Sequence, residues 1–372
     1  MSATIPFVDL GLQYKEHRKV FQEALEEVCT RGSYVLGPQV ARFEENFARY
    51  LRAEACVAVA SGTDALKLSL WALGICLGDE VLTPANTFIA TALAVSSLGA
   101  VPVMVDVDPQ TFLLDLTDAE RKVSPACKAV IPVHLYGQAA DMDAVTAFAQ
   151  RHGLLVVEDA CQSHGAQWRG RCSGTMGRTG CFSFYPAKNL GAFGDGGMIC
   201  TNDLQVAQHF RLLRNYGSTE KYRHQIIGTN SRLDSLQAAV LDKKLPFLDG
   251  WNARRFQAAC LYRDLLAGMD EVRAPLFDAD DPARHVFHLF VITCRDRDGL
   301  KDYLQGAGVE CGIHYPVPVH LHEAYRGLQR NLGMAPVAEE LSGRILSLPM
   351  FPEITPEQIT IVVDRIKEFY AR

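Results

Sequence analysis

Between residues 55 and 201, short apolar runs rich in β-branched residues alternate with stretches whose apolar positions recur at helical spacing, and this rhythm limits the fold more than any other feature. The runs are 56–61 (CVAVAS), 80–84 (EVLTP), 101–107 (VPVMVDV), 128–137 (KAVIPVHLYG) and 154–159 (LLVVED). Helical patterns over 64–73, 86–98 and 142–152 lie between them. Parallel strands need crossover connections, so such alternation predicts an α/β fold with a mostly parallel sheet. Two further runs, 181–186 (CFSFYP) and 197–202 (GMICTN), flank a glycine-rich loop.

The 372 residues exceed what a single compact core ordinarily holds, so a large and a smaller domain are expected. An extended N-terminal arm precedes helical spacing at Leu12, Val20, Ala24, Leu25 and Val28, which should end near Gly32, and a second helix is expected over 38–51. Helices follow over 233–244 and beyond Trp251, and residues 274–284, rich in Pro, Asp and Ala, read as a hinge. After the hinge come a strand in 285–294 (HVFHLFVITC), a helix after Arg295, a strand over 309–316 (VECGIHYP) and a last helix over 356–370. The expected division is 1–250, an N-terminal arm with a large domain, and 251–372, a smaller α+β domain with its linking helix.

Composition narrows the partners. A formal net charge of −6 is spread over interspersed acids and bases, which offers nucleic acid no basic footprint. No run of about 18 apolar residues suggests a membrane span, and the N-terminus lacks the pattern of a secretory signal, so a cytoplasmic location is expected. Eleven cysteines without a CxxC pair read as reduced, mostly buried thiols, and no spacing suggests a metal site.

Three segments at the ends of expected strands carry chemistry, where open α/β sheets place their ligands. Ser61-Gly62-Thr63-Asp64 joins a strand to a helix; its glycine permits close backbone approach, and the helix N-terminus offers unpaired N–H groups to a phosphate. The same residues also read as an ordinary helix cap. Glu158-Asp159-Ala160-Cys161-Gln162 puts carboxylates at the mouth of an apolar strand, where lost solvation calls for a cationic partner such as a protonated pyridine, although a capping Asp fits equally. The run from Ser183 to Gly197 sets Lys188 in a loop just past a β-rich run. Most lysines are solvated surface charges, but a desolvated one can form an imine and carry protons. With Phe88 available to stack on a ring, these are the parts that a pyridoxal 5'-phosphate (PLP) site needs.

At these segments the chain resembles the DegT/DnrJ/EryC1/StrS family of PLP-dependent sugar aminotransferases. The resemblance rests on SGTDAL, VPVHLYGQAADMD, VEDACQSHGA, SFYPAKNLGAFGDGG and RNYGSTEKYRH followed by GTNSRLDSLQAAVL, and runs from FVDLGLQYKEH to LSLPMFP. It implies the aspartate aminotransferase fold (fold type I), a large domain with a mostly parallel mixed sheet plus a smaller C-terminal α+β domain. It further implies that Gly62, Thr63 and Ser183 bind the cofactor phosphate, with Asn230 reaching it from a neighbouring subunit of a homodimer. Phe88 would stack on the pyridine ring, Asp159 pair with its nitrogen, Gln162 lie near its 3'-oxygen and Lys188 carry it as a Schiff base. Tyr185, Tyr216, Tyr222, Arg232, His314, Tyr315 and His320 fall in segments resembling the substrate pocket. Family members with His in place of Lys188 act as dehydratases, so the lysine argues against that activity. The implied reaction moves an amino group from L-glutamate to C-3 of a dTDP-linked 3-keto-6-deoxyhexose. A UDP-linked 3-keto-N-acetylated sugar is the neighbouring alternative, and a non-catalytic PLP-binding regulator a more distant one.

Overall fold

The computed structural model describes residues 4–325 and 335–372. Residues 1–3 of the expected N-terminal unit and 326–334 of the C-terminal one lie outside the described residues.

Five strands follow the anticipated rhythm: β1 (Ala55–Val59), β2 (Glu80–Pro84), β3 (Val101–Val105), β4 (Cys127–Val130) and β5 (Leu155–Asp159). With Thr179–Ser183 and Gly197–Thr201 they form a seven-stranded sheet in the order β1, Gly197–Thr201, Thr179–Ser183, β5, β4, β2, β3. Gly197–Thr201 runs antiparallel to both neighbours, and every other pair in the sheet is parallel. The expected α/β architecture is therefore present. Both faces of the sheet are covered, which is why β1 and β2 are buried along their whole length instead of alternating.

The helix Pro38–Leu51 shows how local sequence positions the site. Proline opens it, where a missing N–H costs nothing, and Val40, Phe43, Phe47 and Leu51 line one face at spacings of three and four residues. Phe47 packs edge-on against Phe182 and Phe184, at 5.1 and 5.5 Å between ring centroids. The helix thus braces the strand that leads into the Lys188 loop. Truncating Phe47 to alanine would cost about 3–5 kcal/mol by the usual response of a packed core.

A second, antiparallel sheet of Val272–Arg273, Phe290–Cys294 and Ile345–Leu348 packs against the helices Arg297–Gly306 and Pro356–Tyr370 around Phe290, Ile292, Leu304, Leu346 and Val362. Ile5 joins this core and bridges to Val309, so the N-terminal arm lies along the C-terminal sheet.

Some expectations need correction. Residues 309–316 form no strand; they make isolated bridges from Val309 to Ile5 and from Gly312 to Ser347 and then turn into the cavity described below. The helix expected over 86–98 is shorter, Ala90–Ser96, because residues 86–89 form a loop at the end of β2. The helices Leu116–Lys122, Leu204–Leu213 and Pro336–Ser342 and the strand Ile345–Leu348 were not anticipated. All eleven cysteines are free thiols. Among the described residues no helix is long and apolar enough to cross a membrane, and no group of three or more His, Cys, Asp or Glu could hold a metal ion.

Candidate active site

The ends of β1, β2, β5 and Thr179–Ser183 and the start of the reversed Gly197–Thr201 all reach the same rim of the large sheet. Over that rim lies a cavity of about 530 Å³, closed on its other side by residues of the C-terminal part. Open α/β sheets place ligands at such a rim.

At one end Ser61 caps the helix Gly62–Ala72 by accepting from the Asp64 N–H at 3.1 Å. Gly62 is pressed against the neighbouring strand. A Cβ there would sit 2.6 Å from Ser183 Cβ and 2.9 Å from Cys161 Sγ, so only glycine leaves the backbone amides open to the cavity. Gly62, Thr63 and Ser183 all line the cavity here, at the positive end of a helix suited to a phosphate.

Asp159, the last residue of β5, is 5% exposed. Its Oδ2 accepts from Thr91 Oγ1 at 2.8 Å and its Oδ1 from the Cys161 N–H at 3.2 Å. The Cys161 thiol also contacts it, and among the described residues it has no salt-bridge partner. A buried carboxylate so placed accommodates a cation presented from the cavity, such as a pyridinium N–H.

Lys188 lies in the loop joining Thr179–Ser183 to the reversed strand. The loop is tight: the Lys188 N–H donates to the Tyr185 carbonyl at 2.8 Å, and a Cβ on Gly191 would lie 2.1 Å from the Pro186 carbonyl oxygen. Its amine enters the cavity 3.5 Å from His288 Nε2. Burial lowers its proton affinity below the ordinary lysine value, with Cys161 and Asp159 pulling the other way. An amine of this kind is a usable nucleophile. A glycine cradle, a buried carboxylate without a cation and a desolvated lysine sharing one cavity fit PLP.

The remaining wall is aromatic and polar. Gln162 accepts from the Tyr136 N–H at 2.7 Å and donates to Tyr315 Oη at 3.0 Å, so its amide is fully oriented. Phe88 is half exposed, with its ring 5.6 Å from that of Tyr315. His314 stacks on Phe7 at 5.6 Å, its Nδ1 lies 2.8 Å from Ser347 Oγ, and burial lowers its pKa to about 4. Tyr185 lines the cavity mouth.

The structure thus brings Gly62, Thr63, Phe88, Asp159, Gln162, Ser183, Tyr185, Lys188, His314 and Tyr315 to one cavity. It does not bring Asn230, Tyr216, Tyr222, Arg232 or His320 to that wall. Asn230 is exposed and bridges to Asn215, while Arg232 packs over Tyr216 at 5.4 Å and donates to Asn215 Oδ1. Tyr222 is 83% exposed. His320 is buried, with its Nε2 2.9 Å from Glu339 Oε1.

Sequence reasoning missed several wall residues. Thr87, and Thr91 behind the wall at Asp159, lie in a segment whose spacing predicts one helix. Phe7 and Val8 belong to an arm whose sequence predicts only extended chain, and His288 to a run that predicts a strand. For Thr91 a signal existed, a hydroxyl at the buried end of an apolar helix that needs an acceptor; for His288 there was none.

The model of the DegT/DnrJ/EryC1/StrS aminotransferase family matches residues 15–367. The chain is 48% identical over 363 residues to the erythromycin biosynthesis sensory transduction protein EryC1 of Saccharopolyspora erythraea, covering 98% of this chain and 99% of that protein. It is 46% identical over 369 residues to the dTDP-3-amino-3,4,6-trideoxy-alpha-D-glucose transaminase of Streptomyces venezuelae, covering 99% and 97%. The crystal structure of S. venezuelae DesV in complex with a ketimine intermediate superposes with a TM-score of 0.96 at 45% identity, over 100% of both chains. Conserved length, fold and sequence agree: the chain is a member of the DegT/DnrJ/EryC1/StrS aminotransferase family.

Proposed function

We propose that this aminotransferase binds PLP and moves an amino group from L-glutamate to C-3 of a dTDP-linked 3-keto-6-deoxyhexose. The observation that carries the reading is the placing of Lys188 and Asp159 in one cavity whose end is the Gly62 cradle. A dTDP-sugar transaminase among its relatives supports the substrate class.

When bound, PLP supplies an aldehyde for the amine and a ring that accepts the electron pair released at the amino-bearing carbon. Gly62, Thr63 and Ser183 hold the phosphate, and Asp159 holds the proton on the ring nitrogen. Lys188 would hold the cofactor and, as a desolvated amine, would move the proton at the amino-bearing carbon. Gln162, fixed by Tyr136 and Tyr315, orients the ring oxygen, and Phe88 with Tyr315 excludes water from one face. The two half-reactions share this site in turn, so ping-pong kinetics are expected.

The proposed assembly is a homodimer with shared sites. Asn230, Tyr216, Tyr222 and Arg232 lie away from their own cavity wall, and Tyr222 and Ile227 leave large apolar surface on that segment. This fits a segment lent to a partner across a two-fold axis. In domain terms we place the large PLP-binding domain and arm at 1–250 and the smaller domain at 251–372, with the cavity between them.

A screen of dTDP- and UDP-linked keto-sugars with L-glutamate, locating the new amine by NMR, tests the reading. Amination at C-3 of a dTDP-linked sugar is expected; selective turnover of the UDP-linked N-acetylated compound would replace the proposed substrate. Cofactor binding without turnover of any keto-sugar would favour a regulator.

A further inference from the structure

The cavity wall contains a buried titratable side chain with no task in this reading. His288 Nε2 lies 3.5 Å from Lys188 Nζ, and its Nδ1 is buried without a hydrogen-bond partner. The segment that bears it is firmly held. The buried Arg255 guanidinium donates to the carbonyls of Phe287, His288 and Met350 at 3.1, 3.4 and 3.0 Å, and Gly137 approaches so closely that a Cβ on it would lie 2.9 Å from the His288 backbone nitrogen. The charged and titratable groups that act on the ring include Lys188, Arg255, His314 and His164. Burial and these neighbours keep the imidazole neutral. A neutral ring can share a hydrogen bond with the amine without adding charge, and anchoring makes its position independent of the lysine.

We propose that His288 is the positioning residue for Lys188: its Nε2 holds the lysine amine in the cavity whenever that amine is not joined to the cofactor. The proposal rests on the reading of Lys188 as the cofactor lysine. A four-carbon side chain set free from its cofactor regains rotamer freedom, and a fixed acceptor beside the amine removes much of that freedom when a proton must be moved.

The test uses the full-length protein loaded with pyridoxamine 5'-phosphate, in which Lys188 is free. Carbamylation of Lys188 by cyanate, followed against pH by peptide mass spectrometry, reads the proton affinity of the amine. In His288→Leu an apolar neighbour replaces a polar one, so the midpoint should fall by about one pH unit, while kcat drops roughly 10–100-fold and KM for L-glutamate changes less than about threefold. His288→Asn, which keeps a polar group there, should recover most of the midpoint. An unchanged midpoint in folded His288→Leu overturns the proposal. If that variant fails to fold, Lys188→Met reads the same contact from the other side: the ring ¹⁵N shifts of His288 should move, and unmoved shifts overturn the proposal. Borohydride reduction of the PLP-loaded wild type separates the two readings. No PLP trapped on Lys188 defeats the cofactor assignment, whereas trapping with an unchanged midpoint defeats only the role of His288.

Discussion

Thr91 Oγ1 donates to Asp159 Oδ2 at 2.8 Å, and Thr87 Oγ1 lies 3.1 Å from Thr91 Oγ1, so a short file of hydroxyls fixes the carboxylate from behind. Asp159→Asn keeps the shape and removes the charge that favours a protonated ring. Turnover should fall by on the order of 10²-fold or more, with a much smaller loss of PLP occupancy. Thr91→Val, which removes one charge-assisted hydrogen bond of about 1.5–3 kcal/mol, should give a milder defect in the same direction. A normal rate in Asp159→Asn would mean that the ring nitrogen has another partner.

Gly62→Ala probes the other end of the cavity. The new methyl meets Ser183 Cβ at 2.6 Å, and a rigid strand cannot yield cheaply. Overpacking of this kind costs about 1–3 kcal/mol. Because the strain falls on the cradle, PLP affinity measured by fluorescence titration should weaken more than the urea midpoint of the apo-protein. Equal PLP affinity in variant and wild type would remove Gly62 from the phosphate site.

How far the sequence revealed this arrangement depended on how local the forces were. The helix Pro38–Leu51 was readable because proline, apolar spacing and length agree within fourteen residues. Gly62, Asp159 and Lys188 were readable because each lies just past an apolar run. The segment 309–316 misled because VECGIHYP looks like a strand. Its bonds instead go to the remote Ile5 and Ser347, and its His314 and Tyr315 serve the cavity. The helix Leu204–Leu213 carried its own signals, an Asp203 cap and apolar residues at Val206, Phe210 and Leu213, and could have been found. His288 could not, since its meaning comes from Lys188, a hundred residues earlier.

Lys244 offers a test in pH. Its amine donates to the Gly191 carbonyl at 2.7 Å under the Phe193 ring, and burial lowers its pKa from 10.5 to about 8. The unfolded chain therefore binds more protons than the folded one between these values. The destabilisation from this group is full below about pH 8 and fades as pH rises towards 10.5. Lys244→Met should accordingly gain most, relative to wild type, at pH 7 and least near pH 10 in paired urea titrations. A difference that stays flat across that range would show that Lys244 is charged in the folded state throughout.

Subunit complementation tests the shared site. Lys188→Ala should lose the borohydride-trappable link to PLP and nearly all turnover. Mixed with an inactive, folded Asn230→Ala chain, it should regain activity in heterodimers, where one site holds both native residues. No recovery despite demonstrated subunit exchange would place Asn230 outside any neighbour's site.

The reversed strand Gly197–Thr201 does more than complete the sheet. Gly197 pairs with Val59 on one side and with Ser183 on the other. The strand that ends at the glycine cradle and the strand that leads to the lysine are therefore held two strand spacings apart, roughly 10 Å, by backbone hydrogen bonds alone. The sheet acts as a ruler whose graduation no side chain sets. Cavity residues such as Leu289 and Met350 come from chain segments outside this ladder, so they can be exchanged during evolution or by design without changing that spacing.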